Sequence, residues 1–135
     1  MTSESLARSY LRKAEDRLET LEVLRRKGAY SDVVREAQEI VELALKGMLR
    51  AIGVEPPKLH DVGGLLLEYR DRFPRDSIGE LEHLARISKQ LRKERELSFY
   101  GDVDFIPTEV YTQDDAREAQ QGAELAVQVA KRVIH

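Results

Sequence analysis

The chain contains no cysteine, which excludes a disulfide framework, a thiolate metal site and a cysteine nucleophile together. No stretch approaches the roughly 20 apolar residues that a membrane-spanning helix needs. The N-terminus MTSESLARSYLRK has no apolar core of signal-peptide length. A cytoplasmic protein with no membrane partner is therefore expected. A glycine-rich phosphate loop is also missing, because Gly63-Gly64 follows no strand-like segment and has no Gly-Lys-Ser/Thr continuation. Histidine is scarce, and none of His60, His83 and His135 has a partner at metal-ligand spacing. Glu80-x-x-His83 matches the di-iron bundle spacing once, whereas such a site needs the pair on two facing helices. Neither a resident metal nor a cofactor is expected.

What remains is a chain of 135 residues, 41% apolar and 35% charged. That length fits one compact domain over 1–135, with enough apolar material for a core beneath a charged surface. The net charge of -3 gives no global attraction to nucleic acid. Any contact with RNA or a nucleotide has to come from a local basic cluster.

Apolar spacing dictates the architecture. Ala7, Leu11, Ala14, Leu18 and Leu21 recur at intervals of four and three, the mark of a long helix from Ser3 to about Lys27, with Ser3 as its N-cap. Gly28 closes it, and Ser31 or Asp32 opens a second helix carrying Val34, Ala37, Val41, Ala44, Met48 and Leu49; so short a linker makes the two antiparallel. Gly53 and Pro56-Pro57 end the second helix. Asp61 caps a shorter helix through Arg72, with Leu65, Leu66 and Tyr69 inward, and Pro74 stops it. A fourth helix runs from about Ser77 to Phe99 on Leu81, Leu84, Ile87 and Leu91, and Gly101 occupies its C-terminal cap. Residues 102–112 carry Pro107 and no helical period, so they read as a crossing loop with some strand character. Thr112 and Asp115 form a capping box before an alanine-rich last helix on Ala116, Ala119, Ala123, Ala126, Ala130 and Val133. The fold class is all-α: an up-down bundle of four long helices plus one short helix.

Chemistry concentrates in RKERELSFYGD at the end of the fourth helix. At about 100° per residue, Arg95 projects within roughly 30° of the mean apolar direction and Arg92 about 85° from it. Arg95 then faces the bundle or a partner subunit. A permanently charged guanidinium on an apolar stripe needs a partner. One reading pairs Arg95 with Asp102 or Glu39 to pin the helix end. The other makes Arg92, Arg95, Ser98, Tyr100 and Asp102 a cleft that holds a phosphate through forked arginine donors. Phe99, Tyr100, Phe105 and Tyr111 cover a helix end or stack on bases.

The segments REAQEIVELALKGML, then HDVGGLLLE, then LRKERELSFYGD before DFIPTEVYT, in this order and spacing, resemble the HEPN family of small helical bundles over nearly the whole chain. That resemblance implies a homodimer with the fourth helix near the two-fold axis, and often a neighbouring minimal nucleotidyltransferase as partner. Many such proteins, toxin-antitoxin components among them, are metal-independent ribonucleases using an arginine and a histidine with four to six residues between them. Here the histidine position falls on Leu97, Ser98 or Phe99 counted from Arg92, and on Tyr100, Gly101 or Asp102 counted from Arg95. No histidine is present. Cleavage without metal needs a group that moves a proton near neutral pH, and histidine does so with a pKa of about 6.5. Tyrosine, at about 10, is a poor base. The expectation is a dimeric module that binds a nucleotide, RNA or a nucleotidyltransferase without cleaving. The alternatives are a ribonuclease using a displaced His60 or His83, and a purely structural or regulatory subunit.

Overall fold

The computed structural model describes residues 3–56, 58 and 61–135; Pro57 and His60, both used above, lie outside these. Four long helices carry the fold: α1 (Ser3–Arg26), α2 (Tyr30–Ala51), α4 (Ile78–Phe99) and α6 (Gln113–Val133). Two short ones join them, α3 (Val62–Glu68) and α5 (Pro107–Val110). Helix α2 is the centre and packs on α1, α6, α4 and α3. Its Val33, Ala37, Ile40, Ala44, Leu45, Met48 and Leu49 are fully buried, because neighbours on several sides leave it little solvent face. Leu21 of α1, Leu66 of α3, Leu81 and Leu84 of α4 and the alanines of α6 complete one continuous core.

Local chemistry sets most boundaries as the sequence predicts. Asp61 Oδ1 accepts from Gly63 N–H at 3.1 Å at the start of α3. The Thr112 and Asp115 side chains cap each other's backbone at the start of α6. Three corrections apply. Ser3 is already helical and donates its Oγ to the Arg50 carbonyl at 3.0 Å instead of capping. The third helix stops at Glu68, and 70–72 tighten into a 3-10 turn. The crossing loop contains α5, begun by Pro107 at its first position, where the missing N–H costs nothing. Its strand character reduces to one bridge between Asp102 and Phe105.

Gly101 makes the turn out of α4 possible. Its φ is +67°, and a β-carbon there would overlap the Phe105 carbonyl and the Pro107 ring, so only glycine fits without strain. The result folds 102–110 back against the end of α4.

Candidate functional site

The end of α4 is held by α2. Arg35 and Glu39 lie one turn apart on α2, with Arg35 Nε 3.6 Å from Glu39 Oε1. Arg95 Nη2 approaches the same carboxylate oxygen at 3.6 Å. Arg35 also donates to the Arg95 carbonyl at 3.2 Å, and Ser98 Oγ donates to it at 3.3 Å. The Arg35 guanidinium sits 4.8 Å from the Phe99 ring centroid, within cation-π range. Helix α4 has no basic residue in its own last turn. Arg35 thus supplies the positive charge that the negative end of its dipole favours.

Arg95 points towards α2 as its place on the apolar stripe requires, but it is not enclosed. Its side chain is 46% exposed: the long stem carries the guanidinium past the core edge to Glu39, the snorkelling open to arginine. Of the two partners the sequence offers, Glu39 is the one that pairs; Asp102 plays no part in it. Asp102 is exposed, its Oδ1 accepts from Val103 N–H at 2.7 Å, and its backbone closes the bridge to Phe105. Ser98 is buried. Tyr100 is 71% exposed and meets Phe99 edge-on at 4.9 Å. Arg92 lies around the helix beside Asp61, Lys89 and Lys93. Arg95 and Ser98 therefore meet on the α2 side, whereas Arg92 opens towards α3, and no hydrogen bond or ion pair among the described residues ties Arg95 to Tyr100 or Asp102. Arg35, which sequence reasoning missed, completes the first group. No local pattern announces it, because its contact lies 60 positions away.

Proton-transfer groups are sparse here. His83 is exposed on α4, and twelve residues at 1.5 Å each put it about 18 Å along the axis from Arg95. His135 is terminal, its carbonyl accepting from Arg8 at 3.3 Å. Glu80 is engaged by Arg132 at 2.6 Å, and among the described residues no group of acids and histidines could hold a metal ion.

A second cleft, of about 190 Å³, lies between α2, α4 and α6 over Val34, Ile87, Leu91 and Ala119. Glu94, Asp115 and Glu118 rim it. Burial, then the charge of Asp115, push the Glu94 carboxyl above its ordinary range. Burial and Glu94 push the neighbouring Tyr111 phenol to about 12. Three carboxyls repel a phosphate, so this cleft has the wrong sign for nucleic acid.

Among the described residues no helix is long and apolar enough to cross a membrane. No curated protein matches the chain with significance. The fold is similar to the crystal structure of an archaeal HEPN homologue, with a TM-score of 0.71 and 27% identity, over 96% of this chain and 98% of that one. A family model described as the HEPN domain matches residues 7–134. A central α2, an α4 whose arginine-bearing end α2 clamps, and a match from the first helix to the last converge, and the chain belongs to the HEPN domain family.

Proposed function

We propose that the chain is a self-associating HEPN module that binds a phosphate-bearing ligand, a nucleotide or RNA, without cleaving it. The observation that carries this reading is the end of α4, where Arg35 and Arg95 share the single carboxylate of Glu39 with no imidazole among the described residues around them. Two guanidinium groups against one carboxylate leave a positive charge to stabilise an anion. Arginine alone cannot move the proton that strand cleavage requires. Arg92, Tyr100 and Asp102 remain part of the proposed ligand surface, with a second subunit bringing the two sides of α4 into one cleft; Ser98 is buried beneath it and supports it by donating to the Arg95 carbonyl. A minimal nucleotidyltransferase is the partner that family membership supports.

The pairing surface is the stretch after the clamp. Leu97, Phe99, Tyr100, Val103, Ile106 and Val110 are large apolar residues left exposed. Apart from Val23, every such residue among the described ones falls between 97 and 110. A monomer gains nothing from this concentration, and a second copy of the chain covers it.

Incubating highly purified protein with short single-stranded RNAs across pH 5–9 tests the reading. RNA stays intact, while a labelled oligonucleotide is retained and loses affinity several-fold in Arg35→Ala/Arg95→Ala. Cleavage that persists through purification and disappears in His60→Ala or His83→Ala would establish the displaced-histidine ribonuclease instead.

A further inference from the structure

Around the helix from the Glu39 clamp, α3 and α4 form a groove that shares only Arg92 with the candidate cleft. Two clefts, of about 370 and 650 Å³, share Asp61 and Lys89 and so run into one another along α4. Arg70, Arg86, Lys89, Arg92 and Lys93 line them. Asp61 and Glu82 are the carboxylates present, so five cations against two anions leave a local surplus of three positive charges. The chain as a whole carries -3. Against that background the groove is the kind of local basic cluster that a polyanion requires.

Three features separate it from an ordinary solvated face. First, Arg70, Arg86, Lys89 and Lys93 form no ion pair among the described residues, whereas cations on α1, α2 and α6 do, as in Arg17–Glu36 at 2.8 Å and Arg132–Glu80 at 2.6 Å. Second, Arg86, Lys89 and Lys93 stand at positions i, i+3 and i+7, one face of the helix over about 10 Å, the length of several linked anionic groups rather than one. Third, the floor is backbone and small side chains. A β-carbon on Gly63 would come within 2.8 Å of Ala85 Cα, so α3 lies directly on α4, and Gly64 and Ala85 line the groove. Among the described residues no aromatic lines it, and Leu67 is the only large apolar one in its lining. A peptide would find no pocket for an anchoring side chain. A phosphate backbone needs none, because its contacts run through charge.

The geometry points to the α3–α4 groove as a track for the phosphate chain of a single-stranded nucleic acid, bound through Arg70, Arg86, Lys89, Arg92 and Lys93 without regard to base sequence. It deepens the binding-module reading and rests on it for the ligand class. Because Arg92 also belongs to the end of α4, the track leads towards the clamp.

Fluorescence anisotropy with a labelled twelve-nucleotide oligo(U) RNA, an oligo(A) of equal length and a labelled ATP, from 20 to 200 mM salt, tests it. Both oligonucleotides bind equally and more than tenfold tighter than ATP. Arg86→Gln/Lys89→Gln/Lys93→Gln weakens them at least tenfold and lowers the logarithmic salt slope by about 2, the value for three phosphate contacts on a single strand. A charge-reversed set, Arg86→Glu/Lys89→Glu/Lys93→Glu, abolishes binding while thermal melting confirms that each variant is folded. Wild-type affinity in the glutamine variant overturns the track, and if Arg35→Ala/Arg95→Ala still weakens binding the module reading stands. ATP binding as tightly as the oligonucleotides, with a slope near 1, also overturns the track, since it describes a single anion site. RNA that is cut but still bound through the groove removes the non-cleaving reading and leaves the track in place.

Discussion

Arg95 and Glu94 are sequence neighbours with opposite situations, and helical direction separates them. Arg95 turns to α2 and Glu39. Glu94 turns to the α6 side, where Asp115 and Glu118 face it. That Arg95 pairs with an acid was legible because a guanidinium on an apolar stripe needs one; the choice of Glu39 over Asp102 was not, since it depends on how α2 packs on α4. The company of Glu94 was not, since α6 begins about twenty residues later and its approach is a tertiary fact. Tyr111 donates a long, 3.5 Å hydrogen bond to Glu94, too weak to offset burial and like charge. The raised carboxyl sets a sign. Its folded-state pKa exceeds the unfolded value of about 4.3, so the folded chain holds more protons between the two, and stability falls as pH rises through the folded value. Glu94→Gln therefore leaves stability near pH 4 unchanged and raises it at pH 7. Urea denaturation at the two pH values reads this as a flatter profile in the variant, and an unchanged profile would show that neither burial nor the charges of Asp115 and Glu118 raise the Glu94 carboxyl.

Among the elements, length and caps decided what could be read in advance. Helices α1, α2, α4 and α6 each repeat an apolar stripe over 21 to 24 residues, enough for periodicity to override local ambiguity. Helix α5 has four residues, fewer than one repeat of any stripe, so no pattern could announce it. Helix α3 stops short of the predicted Arg72 because the chain must turn to bring Phe73 into the core, where it is 5% exposed. Glycine lowers helix propensity, yet packing demands it at Gly63, where a β-carbon would come within 2.8 Å of Ala85 Cα. The start of α6 was legible down to its atoms. Asp115 N–H donates to Thr112 Oγ1 at 3.2 Å, and Thr112 N–H donates to Asp115 Oδ2 at 2.9 Å. Thr112→Ala removes one half of this box and costs about 1 kcal/mol, while Thr112→Ser costs a few tenths. Equilibrium denaturation of the two variants separates them, and equal losses would mean that the threonine methyl, not the hydroxyl, holds the helix start.

For the whole molecule the decisive quantity is exposure, which sequence pattern does not carry. Val103, Ile106 and Val110 read as apolar residues in a crossing loop, a position equally compatible with filling a gap in the core. The turn at Gly101 sends them outward instead, with Val103 88% and Ile106 46% exposed. The self-association proposed for this surface would join two ends of α4 and set the Arg35–Glu39–Arg95 clusters of two copies near one another. A stable interface buries more than about 1,000 Å² in total, more than one loop supplies, so α4 itself has to take part through Leu97, Phe99 and Tyr100. Val103→Asp/Ile106→Asp places two charges in the middle of the apolar surface at residues outside the core cluster, so the fold is retained within about 0.5 kcal/mol. In sedimentation velocity the wild-type protein runs as a dimer at micromolar concentration and the double variant as a monomer. Thermal midpoints supply the independent check: mass action makes the wild-type midpoint rise with protein concentration, and the variant midpoint does not move. A wild-type monomer at these concentrations would remove the shared cleft and leave RNA binding to the α3–α4 groove of a single subunit, whereas a dimer in both proteins would place the two-fold contact on a different face of the bundle.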